Sequence, residues 1–148
     1  MNYKTFRYEV FTKAALARNF EEEVINNVKN KNIKIPVYVS AGQEYISSTI
    51  STICKIKKIK PQIFGQHRCH SIYLTFGGNK GKLIDELIGK KTGCTGGMGG
   101  SASIHSKSIN MFGHDGLMGS NGPIGVGACF ATKKPTIIFL GDAAAEED

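Results

Sequence analysis

The chain has 148 residues, 41% hydrophobic and 21% charged, with 19 Lys and Arg against 12 Asp and Glu for a formal net charge of +7. Such a balance belongs to an ordinary globular protein of about one domain and excludes a disordered chain, a collagen or a coiled coil. No apolar run approaches the roughly 20 residues of a membrane helix, the N-terminus has no apolar leader core, and four cysteines without a CxxC read as free thiols of a reducing, cytoplasmic setting.

The N-terminal segment, residues 1–40, reads as helical. Phe11, Ala14, Ala15, Phe20, Val24 and Val28 approximate a 3.6-residue stripe, with Lys and Glu opposite, and Asn30 to Pro36 ends it. A second amphipathic run follows Gly42, with Ile46, Ile50, Ile53 and Cys54 on one side. Lys55, Lys57, Lys58 and Lys60 close it, as suits a helix C-terminus. The basic excess sits here: residues 1–61 hold eleven Lys or Arg and five acids. It reads as a solvated surface, because no aromatics interleave with the lysines as a base-stacking platform requires; nucleic acid is not an expected partner.

Sixteen of the 18 glycines lie between Gly65 and Gly127, with apolar residues among them, which favours tight packing or a ligand's approach over flexibility. A short helix is expected over Leu83 to Ile88, stopped by Gly89. Asn121-Gly122-Pro123 resembles a cap and a proline in a first helical turn. The glycines of the helix behind it are tolerable if that helix lies close to a sheet. Thr136 to Leu140 is a continuous apolar, β-branched run, as in a strand buried on both faces, and Gly141-Asp142 stands at its carboxyl end, where open α/β sheets bind ligands. The fold class is α/β, a parallel sheet flanked by helices.

Four places could carry chemistry. Asp142 suits a hard cation such as Mg²⁺ or, equally in kind, the N-cap of a helix opening at Ala143, the commoner use of such an aspartate. Gly65-Gln66-His67-Arg68-Cys69-His70 could grip a diphosphate through Arg68 or form a solvated turn; ligand spacing for a metal is lacking. Gly93 to Ser101 is neither a Walker loop nor a dinucleotide fingerprint, and its amides could face a ligand or a partner. In Phe112 to Gly119, His114-Asp115 could be a base and its neighbour, but no nucleophile elbow supports a hydrolytic triad. Cys94 and Cys129 read as packing residues.

Taken in order, Gly42-Gln43-Glu44, Arg68-Cys69-His70, Glu86-Leu87-Ile88-Gly89-Lys90, Gly99-Gly100-Ser101, Gly116-Leu117-Met118-Gly119 and Gly141-Asp142 resemble the alpha subunit of thiamine-diphosphate-dependent 2-oxo-acid dehydrogenases, the pyruvate and acetoin dehydrogenase type, over roughly residues 40–148. The resemblance implies the thiamine-diphosphate-binding fold, with residues 1–148 forming one incomplete domain and 41–148 its cofactor-binding portion. It implies thiamine diphosphate and Mg²⁺ as cofactors and Asp142 as the metal ligand, with Gly141 before it and Ala143 and Ala144 beside the diphosphate. Arg68 would hold the diphosphate, and His67 stands where the family usually has tyrosine. His70 would line the active-site entrance and His114 would act with it in catalysis, while the backbone of Gly116 and Met118 would contact the aminopyrimidine.

The implied reaction decarboxylates a small 2-oxo acid. The implied partners are a beta subunit that supplies the activating glutamate, as in a heterotetramer, and a lipoyl acyl carrier. The departures are Gly141-Asp142-Ala143 where the family has Gly-Asp-Gly, and a histidine after the Gly-Gly-Ser stretch that is either displaced to His105 or absent. The family's second magnesium ligand, an asparagine about thirty residues past the aspartate, lies beyond Asp148. The expectation is therefore a chain cut before its final strands, with half a metal site. A non-catalytic fragment, or a basic module binding a polyanion through Lys55 to Lys60, are the alternatives.

Overall fold

A computed structural model describes residues 2–146 as helices around a small parallel sheet. α1 (Tyr3–Lys29) is capped by the Asn2 side chain, which accepts from the Thr5 amide at 2.9 Å. It is followed by α2 (Glu44–Ile56), β1 (Gln62–Phe64), α3 (His70–Thr75) and α4 (Lys80–Leu87). A 3₁₀ turn at Lys107–Ile109, β2 (Met111–Phe112), α5 (Asn121–Thr132), β3 (Thr136–Ile138) and α6 (Asp142–Glu146) complete the order. No helix among the described residues is long and apolar enough to cross a membrane.

The three strands run parallel in the order β2-β1-β3, with Ile63 opposite Met111 and Ile137, and Phe64 opposite Phe112 and Ile138. Successive strand side chains point to opposite faces, and the central strand shows it. Ile63 joins a core of Phe20, Val24, Cys69, Ile72, Tyr73, Leu83, Leu87, Ile104 and Met111. Phe64 stacks on Phe112 at 4.9 Å and faces α5. Gly125 makes the α5 contact possible, because a Cβ there would stand 2.7 Å from Ile138 and 3.3 Å from Phe64.

Four expectations are corrected. The buried stripe of α1 is Val10, Ala14, Ala17, Phe20, Glu21 and Val24, while Phe11 and Val28 are exposed. α2 is inverted: it buries Glu44, Ser47, Ser48, Ser51, Thr52 and Cys54, and turns Ile46 and Ile53 outward. β3 is half-buried throughout, because it is the sheet's edge rather than its centre. Of the α5 glycines, only Gly125 meets the sheet closely; Gly127 has open space around it. The cysteines are all free, and Gly89 ends α4 in a left-handed conformation, as expected.

Candidate functional site

The carboxyl ends of β1 and β3 open onto one cavity of about 540 Å³. From β1, the chain passes through Gln66, His67 and Arg68 before α3 begins. From β3, it passes through Phe139, Leu140 and Gly141 into α6. These two segments, 75 residues apart, are tied by the Gly141 amide donating to Gln66 Oε1 at 3.2 Å. Met118 of the loop after β2 adds to the wall, and Ile46, Ser47 and Ile72 of α2 and α3 close its other side.

A second amide fixes the same edge. Asn121 is the first residue of α5, but its side chain does not cap the helix. It turns inward and donates to the carbonyls of Gly65 at 2.7 Å and Gly113 at 3.3 Å. It thereby joins the segments following β1 and β2.

Among the ten sequence-derived site residues, His67, Arg68, Met118, Gly141, Asp142, Ala143 and Ala144 line this cavity. Arg68 and Asp142 are both exposed, and neither has an ion-pair partner among the described residues. The Asp142 carboxylate caps no helix; it accepts no hydrogen bond among those residues, and it opens the first turn of α6. Gly116 and His114 sit on the loop that carries Met118, but off the cavity wall.

His67 lies at the mouth, its ring 5.2 Å from that of Tyr38 and 5.9 Å from that of His114. Burial, with lesser contributions from His114 and Arg68, lowers its pKa. Its ring thus faces two other rings at the edge of the cavity that Arg68 and Asp142 also line.

His70 is not at an entrance. It is fully buried, with Nδ1 donating to Glu21 Oε2 at 2.9 Å and Nε2 bonded to Ser101 Oγ at 2.9 Å. Ser101 accepts from the Tyr38 amide at 2.8 Å, and the Ser40 amide donates to Glu21 Oε1 at 2.8 Å. Serine, histidine and acid stand in the order of a hydrolytic triad, but none of the three reaches solvent. The cluster instead joins α1, the 38–40 segment, α3 and the end of the glycine-rich loop. Burial alone would raise the Glu21 carboxyl; the His70 and Ser40 donors outweigh it and hold the pKa below the ordinary value.

The amides of the glycine-rich loop do not await a ligand. Glu86, fully buried, takes them: Thr95 and Gly97 donate to Oε2 at 2.7 and 2.9 Å, Gly99 and Gly100 to Oε1 at 2.8 and 3.1 Å. Gly97 combines a φ of +78° with a Cβ position 2.7 Å from the Gly89 carbonyl, so no larger residue fits that wrap.

Gln66, Asn121, Glu21 and Glu86 were missed as organising residues. The two glutamates carried a signal: each sits on the apolar stripe of its helix, where an acid needs a buried partner.

The wall offers a guanidinium, a carboxylate and a buried amide donor, Gln66 Nε2, that finds no acceptor among the described residues. That set complements a diphosphate carrying a hard cation, for which one protein carboxylate plus phosphate oxygens is a common coordination pattern. No cluster of three metal-ligating side chains occurs among the described residues.

Residues 12–148 match the family model of the dehydrogenase E1 component. The pyruvate dehydrogenase E1 component subunit alpha-1 of Arabidopsis thaliana is 32% identical over 94% of this chain and 36% of its own length. The corresponding alpha-1 subunit of Oryza sativa is 36% identical over 93% of this chain and 36% of its own length. The alpha subunit of Rickettsia prowazekii is 30% identical over 98% of this chain and 46% of its own length. The chain thus spans less than half the length of each of these relatives.

Proposed function

This chain belongs to the dehydrogenase E1 component family, and from that premise we propose that it forms the part of an alpha subunit that holds thiamine diphosphate and Mg²⁺, in an enzyme that decarboxylates a 2-oxo acid together with a beta subunit. One observation carries the proposal. Arg68 and Asp142, far apart in sequence and both without a counter-ion among the described residues, converge on one cavity at the carboxyl ends of adjacent parallel strands.

In this reading Arg68 would hold the diphosphate and Asp142 would hold the cation. Ala143 and Ala144 are small enough to let that anion approach the backbone. Gln66 fixes the Gly141-Asp142 segment through the Gly141 amide. His67, on the cavity wall with the His114 ring 5.9 Å away, is placed to exchange a proton with substrate. When bound, thiamine diphosphate supplies the electron sink for loss of carbon dioxide from the substrate. A lipoyl carrier as acceptor and a cytoplasmic location belong to the same proposal. His70 acts from the interior, by positioning the segment that leads into α3.

Calorimetric titration of thiamine diphosphate with and without Mg²⁺, into this chain alone and with a beta-type subunit added, tests the assignment. Asp142→Ala should abolish the Mg²⁺ dependence. Arg68→Gln should weaken binding about tenfold to a hundredfold, as expected for a lost charge-assisted hydrogen bond. Unchanged affinity in both variants would move the cofactor elsewhere.

A further inference from the structure

The lysines left aside by the cofactor site come together at the opposite, amino-terminal end of the sheet. Lys13 of α1, Lys55 of α2 and Lys60, which leads into β1, line one groove of about 470 Å³ whose floor includes Ile63 and Phe76. No residue of this groove also lines the cofactor cavity.

Its charge is unbalanced. Glu9 lies 2.8 Å from the Lys55 ammonium and 3.6 Å from that of Lys13. Lys60 has no acidic partner among the described residues. Lys13 is also partly withdrawn from water: its side chain is 21% exposed, and Nζ donates to Ser51 Oγ at 3.0 Å. Burial lowers its pKa, against the opposing pull of Glu9. Three lysines from three segments thus line one concavity, with a single carboxylate held between two of them and none on the third, an incomplete set of counter-charges.

We propose that this groove binds a phosphate monoester with an apolar body. The phosphate sits among Lys13, Lys55 and Lys60, and the body lies on Ile63 and Phe76. The charge left over by Glu9 is about two positive units, which a phosphate monoester matches near neutral pH. The groove's volume falls in the range of small-molecule sites.

Phenyl phosphate is the probe, titrated into the full chain by calorimetry. It should bind, more tightly than inorganic phosphate, and phenol should not bind. Its affinity should fall with added salt. Lys60→Gln should weaken it about fivefold to tenfold, as expected for one removed charge at a partly screened distance. Lys13→Met should do the same while preserving the groove's shape; if that variant fails to fold, the exposed Lys60 carries the test by itself. Arg68→Gln, at the other end of the sheet, should leave phenyl phosphate binding unchanged. Binding that survives Lys60→Gln intact, that is lost in Arg68→Gln, or that is absent up to about 10 mM, beyond the millimolar range of weak sites, overturns the proposal.

Discussion

Two buried carboxylates, Glu21 and Glu86, do opposite jobs with the same chemistry. Glu86 is acceptor-only and meets four backbone donors, so its charge is spread over a ring of amides. Glu86→Gln keeps the volume but replaces one oxygen with a donor facing two N–H groups. It should cost about 3 kcal/mol, within the range for breaking a buried charged network. That corresponds to a thermal midpoint lower by about 10 °C for a chain of this size; an unchanged midpoint would mean the loop holds itself. Glu21 instead reports on pH. Its folded pKa lies below the unfolded value of about 4.3 because His70 and Ser40 overcome the opposing effect of burial. The stability it contributes is therefore fully present above that value and is lost as pH falls through the lowered one. Urea unfolding from pH 7 down to 3 should show a shallower acid loss in Glu21→Gln than in the parent. Parallel curves would assign the acid sensitivity to other carboxylates.

The helices show how far hydrophobic period could be read, and where it failed. α1 was legible as a helix, but its face is set by Val10, Ala14, Ala17, Glu21 and Val24, and an acid in the stripe displaced the reading toward Phe11. α2 was legible as a helix with Cys54 inward, but the rest of its buried face was misread. Its serines pack inward because they are small and satisfy themselves: Ser47 and Ser48 donate to the Glu44 carbonyl at 3.2 and 2.6 Å, Ser51 to the Ser48 carbonyl at 3.1 Å. A hydroxyl bonded to its own helix behaves as a small, nearly neutral surface, which no hydropathy period records. The Arg18–Glu44 pair, at 2.6 Å, then ties α1 to the start of α2. In α5 the glycines were read as a group, yet the sheet needs only one of them. Gly127→Ala should gain up to about 1 kcal/mol of helix propensity. Gly125→Ala must push against Ile138 and should be less stable than Gly127→Ala by about 1–2 kcal/mol, as for overpacked contacts. Equal stabilities, measured by denaturant unfolding, would mean that α5 rides free of the sheet.

For the whole molecule, one strand and its Gly-Asp tip were enough to read a parallel sheet and the end that opens onto the cavity. β1 and β2 were not legible, because strands of three and two residues are too short to show a period. The site followed the same division. Residues given by motif order, Arg68 and Asp142, line one cavity, whereas the buried amides and acids that order the surrounding segments are set by tertiary contacts. The same architecture leaves much apolar surface uncovered. α5 buries only Asn121 and Gly125, while Ile124, Val126 and Phe130 stand out on it beside Leu140, and β3 offers an unpaired edge among the described residues. A helix apolar on nearly all sides belongs inside an assembly, and an open parallel edge invites pairing. The 148-residue polypeptide should therefore self-associate, with a sedimentation coefficient that rises with concentration. Val126→Asp together with Phe130→Ser should shift it toward the monomer without lowering the unfolding midpoint, because both side chains are exposed. A parent chain that sediments as a monomer across the dilution series would show that this face is tolerated in water. A double variant that stays associated would place the contact elsewhere, on the outward isoleucines of α2.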